Sequence, residues 1–175
     1  MSGRRAVFFD RDGTLMEEVQ YCSDPANVHV YPGVPEALRK LRAAGFAIFV
    51  ITNQAGIGRG LFTETQYHAV QDEFLRQAGE ELIDATYFCA DPPGVMSSRR
   101  KPEPGMVLEA AAEHSIDLTQ SFFIGDKSVD VECGRRAGTR TIQVLTGYGA
   151  SQPSQADYVA PDVVEAIRLV LATAN

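Results

Sequence analysis

The sequence predicts an α/β fold in which helices cover both faces of one central parallel sheet. Short runs of continuous apolar residues, such as "AVFF" and "FAIFVIT", alternate along the chain with segments of helical periodicity. Strands that are apolar on both faces are typical of parallel sheets buried between helices. Polar and glycine-containing loops follow four of the apolar runs. This pattern favours a three-layer, Rossmann-like architecture whose ligand site lies beyond the carboxyl ends of the strands.

The first half of the chain supplies three strands and two helices. Leu38 and Leu41 lie on one face of the first helix, which ends at a glycine. Thr63 is placed to cap the second helix, with Gln66 three residues later as in a capping box. The predicted elements are strands at 6–9, 46–52 and 85–90 and helices at 35–45 and 64–82.

The second half repeats the alternation. Pro104 suits the first position of a helix, and Gly138 suits the end of the next one. The predicted elements are strands at 121–126 and 139–145, helices at 105–115 and 127–138, and a tail at 157–172 with a short extended piece and a closing helix. We expect one domain over residues 1–175.

Four loops that follow strands carry the unusual residues. They read "DRDGT", "TNQAGIGRG", "DPPGVMSSRRKPEPG" and "GDKSVD" in chain order. Because the carboxyl ends of parallel strands meet at one edge of a sheet, we expect these loops to form one site.

Three aspartates in these loops indicate a cation site. Asp10 and Asp12 are one residue apart, and Asp126 ends the fourth strand. Aspartates in such positions also satisfy turns and cap helices. Three converging carboxylates, however, repel one another unless a cation lies between them. Oxygen ligands of this kind suit Mg²⁺.

The remaining loop residues are donors. Thr52, Asn53 and Gln54 offer a hydroxyl and two amides, and glycines follow them. Lys101 and Lys127 are two of the chain's three lysines. Carboxylates, a divalent cation and donors around one point are the requirements of phosphoryl transfer, whose transition state spreads negative charge over oxygens.

Charge and composition exclude several other classes. The chain has 16 basic and 23 acidic residues and a net charge of −7, which disfavours a nucleic-acid-binding surface. No segment is long and apolar enough for a signal core or a membrane span. The three cysteines form no CxxC pair and suggest reduced thiols, so we expect a cytoplasmic protein.

The motifs "FFDRDGTL", "ITNQAGIGRG", "RKPEPGM" and "FFIGDKSVD" resemble those of the haloacid dehalogenase (HAD) superfamily of phosphatases, in order and over nearly the whole chain. The likeness is to its histidinol-phosphatase and heptose-bisphosphatase branch. It implies the HAD fold and a Mg²⁺-dependent phosphatase that forms an aspartyl-phosphate. The spacing between motifs leaves no room for a separate cap domain.

The resemblance also implies roles for individual residues. Asp10 would be the nucleophile and Asp12 the general acid and base. Asp10, Asp126 and the backbone carbonyl of Asp12 would bind Mg²⁺. The implied substrate-binding residues are Thr52, Asn53, Gln54, Arg59, Arg100, Lys101, Lys127, Glu18 and Tyr21. We could derive no role for Arg11, which stands between the two aspartates.

One departure from the branch concerns zinc. Many members bind structural zinc through Cys-x-His and Cys-x-Cys, but this chain has Cys89-Ala90-Asp91 and Ser97-Ser98-Arg99 there. One thiolate cannot form a tetrahedral zinc site, so we predict no zinc. We expect prolines and arginines to hold this loop, with Asp91 pairing Arg99.

The substrate implied is a small phosphorylated sugar, with removal of the 7-phosphate of D-glycero-D-manno-heptose 1,7-bisphosphate favoured. Histidinol phosphate and a 3′-phosphorylated polynucleotide are alternatives, the latter disfavoured by the net charge. We expect no nucleic-acid or membrane partner, and we expect a monomer because no long apolar surface stripe stands out.

Overall fold

Six parallel strands form one sheet in the computed structural model, which describes residues 3–174. The strands are β1 (Ala6–Phe9), β2 (Ala47–Asn53), β3 (Ala85–Cys89), β4 (Phe122–Gly125), β5 (Arg140–Val144) and β6 (Tyr158–Ala160). Their order across the sheet is β3-β2-β1-β4-β5-β6. The predicted α/β class with a central parallel sheet is confirmed.

The helices are α1 (Val34–Ala43), α2 (Ala55–Gly58), α3 (Glu64–Ala78), α4 (Gly105–His114), α5 (Ser128–Ala137) and α6 (Val163–Thr173). Thr63 and Gln66 form the predicted capping box of α3. The predicted end of this helix was wrong, because Gly79 adopts a φ of 101° and a separate 3₁₀ turn, Glu80–Leu82, follows. The short α2, inside the glycine-containing loop, was not predicted.

Helices on the two sheet faces bury two separate apolar clusters. On one face, Leu38 of α1 and Phe74 of α3 pack with Ile167 of α6. On the other, Met106 of α4 and Cys133 of α5 pack on Phe8. The rings of Phe49, Phe8 and Phe123 stack across three neighbouring strands, with centroids 5.3 Å and 6.4 Å apart. The central strands β1, β2 and β4 are buried along nearly their whole length, which explains their apolar sequences.

The strand order reverses at β1, which lies between β2 and β4. Chain connections leave this point in opposite directions and open a crevice at the carboxyl ends of the strands. After β1 the chain forms isolated bridges, from Asp12 to Met16 and from Met16 to Val30, and turns back before α1. No helix within the described range has the length and apolarity to cross a membrane.

Candidate active site

A buried lysine joins two carboxylates at the centre of the site. Nζ of Lys101 lies 2.7 Å from Oδ1 of Asp10 and 2.7 Å from Oδ1 of Asp130, and it also donates to the carbonyl of Ile51. The side chains of these three charged residues are only 2%, 7% and 1% exposed. The loop after β3 thus brings its lysine to the end of β1. Negative charge at Asp10 is thereby matched by a fixed cation.

The sequence reasoning missed Asp130. It occupies the first turn of α5, where its Oδ2 accepts a hydrogen bond from the backbone N–H of Lys127 at 3.0 Å. Its spacing was a usable signal, because an aspartate four residues after Asp126 lies in the first turn of the helix that leaves the same strand end.

Asp10, Asp126 and Asp130 form a cluster of buried carboxylates, with one oxygen of each within 4.8 Å of the others. Burial and the neighbouring carboxylates raise the pKa of Asp126 to about 9. Burial and Asp130 also raise the pKa of Asp10, although Lys101 opposes this. The unfavourable charge cluster indicates a place for a cation.

The residues present fit Mg²⁺. The ion prefers carboxylate oxygens and keeps room for water and phosphate oxygens in its shell. Gly13 and Gly147 pack against Asp126, and a side chain on either glycine would collide with that carboxylate. Both have a positive φ, so glycine meets the steric and the conformational requirement together.

Asp12 turns away from this cluster. Its Oδ2 accepts hydrogen bonds from Nε of Arg11 and from Nε2 of Gln54, each at 3.1 Å. Gln54 also donates to the hydroxyl of Thr52 at 2.7 Å. In place of Asp12, Asp130 supplies the third carboxylate of the cluster. The metal role predicted for Asp12 concerned its backbone carbonyl and stays a prediction.

The side chain of Asn53 is bonded at both ends to the backbone of Lys101. Its Nδ2 donates to the lysine carbonyl at 3.1 Å, and its Oδ1 accepts from the lysine N–H at 3.0 Å. This pair of bonds fixes the loop after β3 to the end of β2. Asn53 therefore positions Lys101, and its contact with a phosphoryl group stays a prediction.

A cavity of about 260 Å³ opens above these groups. The predicted residues in its wall are Asp10, Asp12, Glu18, Tyr21, Asn53, Gln54, Arg59, Arg100, Lys101 and Lys127. Thr52 and Asp126 are predicted site residues that do not line it, and both are buried below the wall.

One side of the cavity carries a half-buried acid and a lysine. Oε2 of Glu18 is buried and has no hydrogen-bond partner among residues 3–174, and Nζ of Lys127 lies 3.9 Å from it. Lys127 also lies 4.8 Å from the ring centre of Tyr148. Burial and the nearby Asp12 carboxylate raise the pKa of Glu18 to about 7. An unpaired carboxylate oxygen at a cavity wall is suited to accept a hydrogen bond from a ligand hydroxyl.

Tyr21 and Arg59 form the outer rim. Nη1 of Arg59 donates to the hydroxyl of Tyr21 at 2.8 Å, and Tyr21 has a φ of 52°. A positive φ is uncommon for a residue with a large side chain. The pair links the segment after β1 to the loop after β2 across the mouth of the cavity.

Arginines hold the loop over 91–104, as expected, but one of their partners differs from the prediction. The predicted Asp91–Arg99 pair was wrong, because Arg99 pairs with Glu109 of α4 at 3.2 Å. Asp91 instead accepts from Sγ of Cys89, and its carbonyl accepts from Nη1 of Arg100 at 3.0 Å.

Ser97 completes this loop structure. Its hydroxyl accepts from the backbone N–H groups of Arg99 and Arg100 and lies 3.7 Å from Sγ of Cys89. Cys89, Asp91 and Ser97 thus form a polar cluster at the base of the loop, and the cluster fixes the direction of Arg100 toward the cavity.

Comparison with known proteins identifies the family of this chain. A HAD-hydrolase-like family model matches residues 98–166. The chain is 35% identical to the D-glycero-D-manno-heptose-1,7-bisphosphate 7-phosphatase of Thermosynechococcus vestitus, over 95% of each chain. It is 38% identical to the D-glycero-beta-D-manno-heptose-1,7-bisphosphate 7-phosphatase of Rhodopseudomonas palustris, over 77% of this chain and 80% of that protein.

A solved structure supports the same relation. The D,D-heptose 1,7-bisphosphate phosphatase of B. bronchiseptica, complexed with magnesium and phosphate, has a TM-score of 0.88 and 26% identity to this chain. The similarity covers 97% of this chain and 99% of that one. The architecture of the two proteins is therefore shared from end to end.

Proposed function

We propose that this chain, a member of the HAD superfamily phosphatases, works through an aspartyl-phosphate on Asp10 with Mg²⁺. It belongs to the branch of the superfamily that holds the heptose-bisphosphate phosphatases and is therefore a phosphoric monoester hydrolase. The observation that carries this proposal is the position of Asp10. Its carboxylate borders the cavity, contacts Lys101 and lies within the cluster of three acids.

In the proposed first step, a carboxylate oxygen of Asp10 attacks phosphorus, and the bond from phosphorus to the ester oxygen breaks. Asp12 gives a proton to that leaving oxygen. In the second step, Asp12 takes a proton from water as the water oxygen attacks phosphorus. The bond between phosphorus and Asp10 then breaks, and phosphate is released.

The other buried groups organise charge around these steps. Asp10, Asp126 and Asp130 supply the carboxylates that surround a cation, and the Asp12 carbonyl is proposed as a further ligand. Mg²⁺ held there would neutralise phosphate oxygens and stabilise charge in the transition state. Lys101 adds a fixed positive charge beside the nucleophile, and Thr52 and Asn53 are proposed to orient the phosphoryl group.

We propose that the substrate is D-glycero-D-manno-heptose 1,7-bisphosphate, from which the 7-phosphate is removed. The relatives named for this activity support the choice. Glu18 and Gln54 offer acceptors or donors for sugar hydroxyls. Lys127, Arg59 and Arg100 surround the cavity with positive charge suited to a second phosphate, and Tyr21 closes its rim. Relatives are named for both the alpha and the beta anomer.

We also propose that one domain performs the reaction without a separate cap, in a cytoplasmic monomer that uses no zinc. The short segment after β1, with Glu18 and Tyr21, and the loop over 91–104 are proposed to enclose the substrate. The three cysteines are buried and unpaired, which suits a reducing compartment.

The test is phosphate release from both anomers of the heptose bisphosphate, histidinol phosphate and a 3′-phosphorylated oligonucleotide, with Mg²⁺ or with EDTA. We expect the heptose bisphosphate to have the highest kcat/KM and EDTA to abolish its turnover. A higher kcat/KM for histidinol phosphate or the oligonucleotide would overturn the substrate assignment. Full activity in EDTA would overturn the metal assignment.

A further inference from the structure

Arg11 is a charged residue buried completely beside the catalytic aspartates. Arg11 follows Asp10 directly in the chain, and 0% of its surface is exposed to solvent. A buried guanidinium is unfavourable unless it is paired and hydrogen-bonded, so its partners indicate why it is retained. Burial opposes its charge, but the hydrogen-bonded Asp12 carboxylate raises the pKa of Arg11 above its ordinary value.

The guanidinium faces Asp12 side on. Nε lies 3.1 Å from Oδ2, and Nη2 lies 3.4 Å from Oδ1. A planar fork against a carboxylate fixes the rotation of that carboxylate as well as its position. Lys101 has no such contact with Asp12, because its ammonium is bonded to Asp10 and Asp130. The two catalytic aspartates therefore have different cationic partners.

Two residues of helix α3, Gln71 and Tyr67, contact the guanidinium of Arg11. Nη1 of Arg11 donates to Oε1 of Gln71 at 3.0 Å, and Nε2 of Gln71 donates to the hydroxyl of Thr86 on β3 at 3.0 Å. The guanidinium carbon lies 5.6 Å from the ring centre of Tyr67. Gln71 and Tyr67 are 6% and 2% exposed. A continuous series of hydrogen bonds thus runs from Thr86 through Gln71 and Arg11 to Asp12, and it is largely shielded from water.

The two oxygens of Asp12 differ in their bonds. Oδ2 accepts from both Arg11 and Gln54 at 3.1 Å, whereas Oδ1 accepts, within the described part of the chain, only the longer hydrogen bond from Nη2 of Arg11. A carboxyl group keeps its proton on the oxygen that accepts fewer hydrogen bonds, because a proton on the other oxygen would displace those donors. Oδ1 is therefore the atom that exchanges the proton.

We propose that Arg11, braced by Gln71 and Tyr67, is a positioning residue that holds Asp12 so that Oδ1 delivers and receives the proton of the reaction. The proposal rests on the function proposed above. It assigns no contact between Arg11 and substrate. Loss of the brace should impair proton transfer by Asp12 more than attack by Asp10.

Leaving-group dependence separates these two effects. p-Nitrophenolate leaves phosphorus without a proton, whereas the alkoxide of glycerol 3-phosphate requires one. Both substrates share the second step, in which Asp12 removes a proton from water. A variant with a misplaced Asp12 should therefore still form the phosphoenzyme from p-nitrophenyl phosphate but hydrolyse it slowly.

The experiment compares wild type with Arg11→Lys and Gln71→Met in Mg²⁺. For both variants we expect turnover of glycerol 3-phosphate to fall by about 10- to 100-fold, a partial loss of the roughly 10²- to 10⁴-fold that a positioned general acid contributes. With p-nitrophenyl phosphate, the phosphorylated fraction of the enzyme after acid quench should rise above that of the wild type. Gln71→Met keeps Arg11 and serves if Arg11→Lys does not fold.

Arg5→Lys is the matched control. Arg5 also stacks on an aromatic ring, 4.4 Å from the centre of Phe46, and donates to backbone carbonyls away from the cavity. The phosphorylated fraction of the Arg5→Lys enzyme should match that of the wild type. A phosphorylated fraction that falls together with turnover in the Arg11 and Gln71 variants would overturn the proposal, as would unchanged turnover of glycerol 3-phosphate. A wild-type enzyme that hydrolyses no phosphate ester would overturn the proposed function itself.

Discussion

Nζ of Lys101 lies 2.7 Å from Oδ1 of Asp10, and both side chains are almost fully buried. Removal of the ammonium in Lys101→Met would leave the carboxylates of Asp10 and Asp130 in a low-dielectric site without their fixed partner. We expect phosphatase activity to be lost and the free energy of unfolding to fall by about 3–5 kcal/mol, as measured by urea denaturation. Lys40→Met, at an exposed position of α1, should change neither quantity. Equal stability of the two variants would contradict the buried ion pair.

Asp126 should link metal binding to stability. In metal-free protein the pKa of Asp126 is raised to about 9, so at pH 7 the folded protein must take up a proton that the unfolded chain does not hold. Asp126→Asn should raise Tm in EDTA at pH 7 because it removes this cost. In the wild type, Mg²⁺ should raise Tm because it binds the folded cluster. This gain should shrink in Asp126→Asn. Differential scanning fluorimetry with and without Mg²⁺ checks both changes. A gain in Tm of equal size in the two proteins would exclude Asp126 as a ligand.

Glu18 should make stability depend on pH. Burial and Asp12 raise the pKa of Glu18 to about 7 in the folded protein, from an ordinary value of 4.5. Between these values the folded protein keeps a proton that the unfolded chain has lost, so stability falls as pH rises through this window. Glu18→Gln should weaken that fall.

The measurement is urea denaturation in EDTA at several values between pH 4.5 and pH 8. Asp10 and Asp126 also have raised pKa values, so the difference between wild type and Glu18→Gln isolates the contribution of Glu18. Parallel stability curves for the two proteins would show that Glu18 titrates normally.

Ser97 should hold the loop over 91–104. Its hydroxyl accepts hydrogen bonds from two backbone N–H groups and contacts Cys89, so Ser97→Ala should increase proteolytic cleavage in this loop. KM should also rise, because Arg100 loses one of the contacts that position it at the cavity. Ser98→Ala, at an exposed neighbouring position, is the control.

The same loop is predicted to bind no zinc. EDTA should therefore not alter the proteolytic cleavage of the wild type in this loop. Cleavage of the wild type that increased on chelation would argue for a metal in the loop.

The order of strands and helices could be predicted because it depends on local patterns. Continuous apolar runs such as "FAIFV" are required where a strand is buried on both faces, and the cap at Thr63 marks where α3 begins. The end of α3 was misplaced because Gly79 turns the chain while the residues after it still favour a helix. Helix propensity alone does not report such a change in backbone direction.

The convergence of Asp10 and Asp126 could be predicted, because both follow the ends of parallel strands. The site was not predictable where a side chain acts on another side chain. Arg11, Gln71 and Thr86 meet only because the fold brings α3 and β3 close to the segment after β1, and the sequence separates them by up to 75 positions (86 − 11). Arg99 likewise pairs with Glu109 rather than with the expected Asp91, because α4 lies close to the loop.

Asp10 is proposed to be the residue that becomes phosphorylated. The most direct measurement is acid quench of the enzyme during turnover with Mg²⁺ and p-nitrophenyl phosphate, followed by peptide mass spectrometry. We expect one phosphoryl group on the peptide that contains Asp10, and none in Asp10→Asn, which should also be inactive. A phosphoryl group on another residue, or full turnover by Asp10→Asn, would contradict the account.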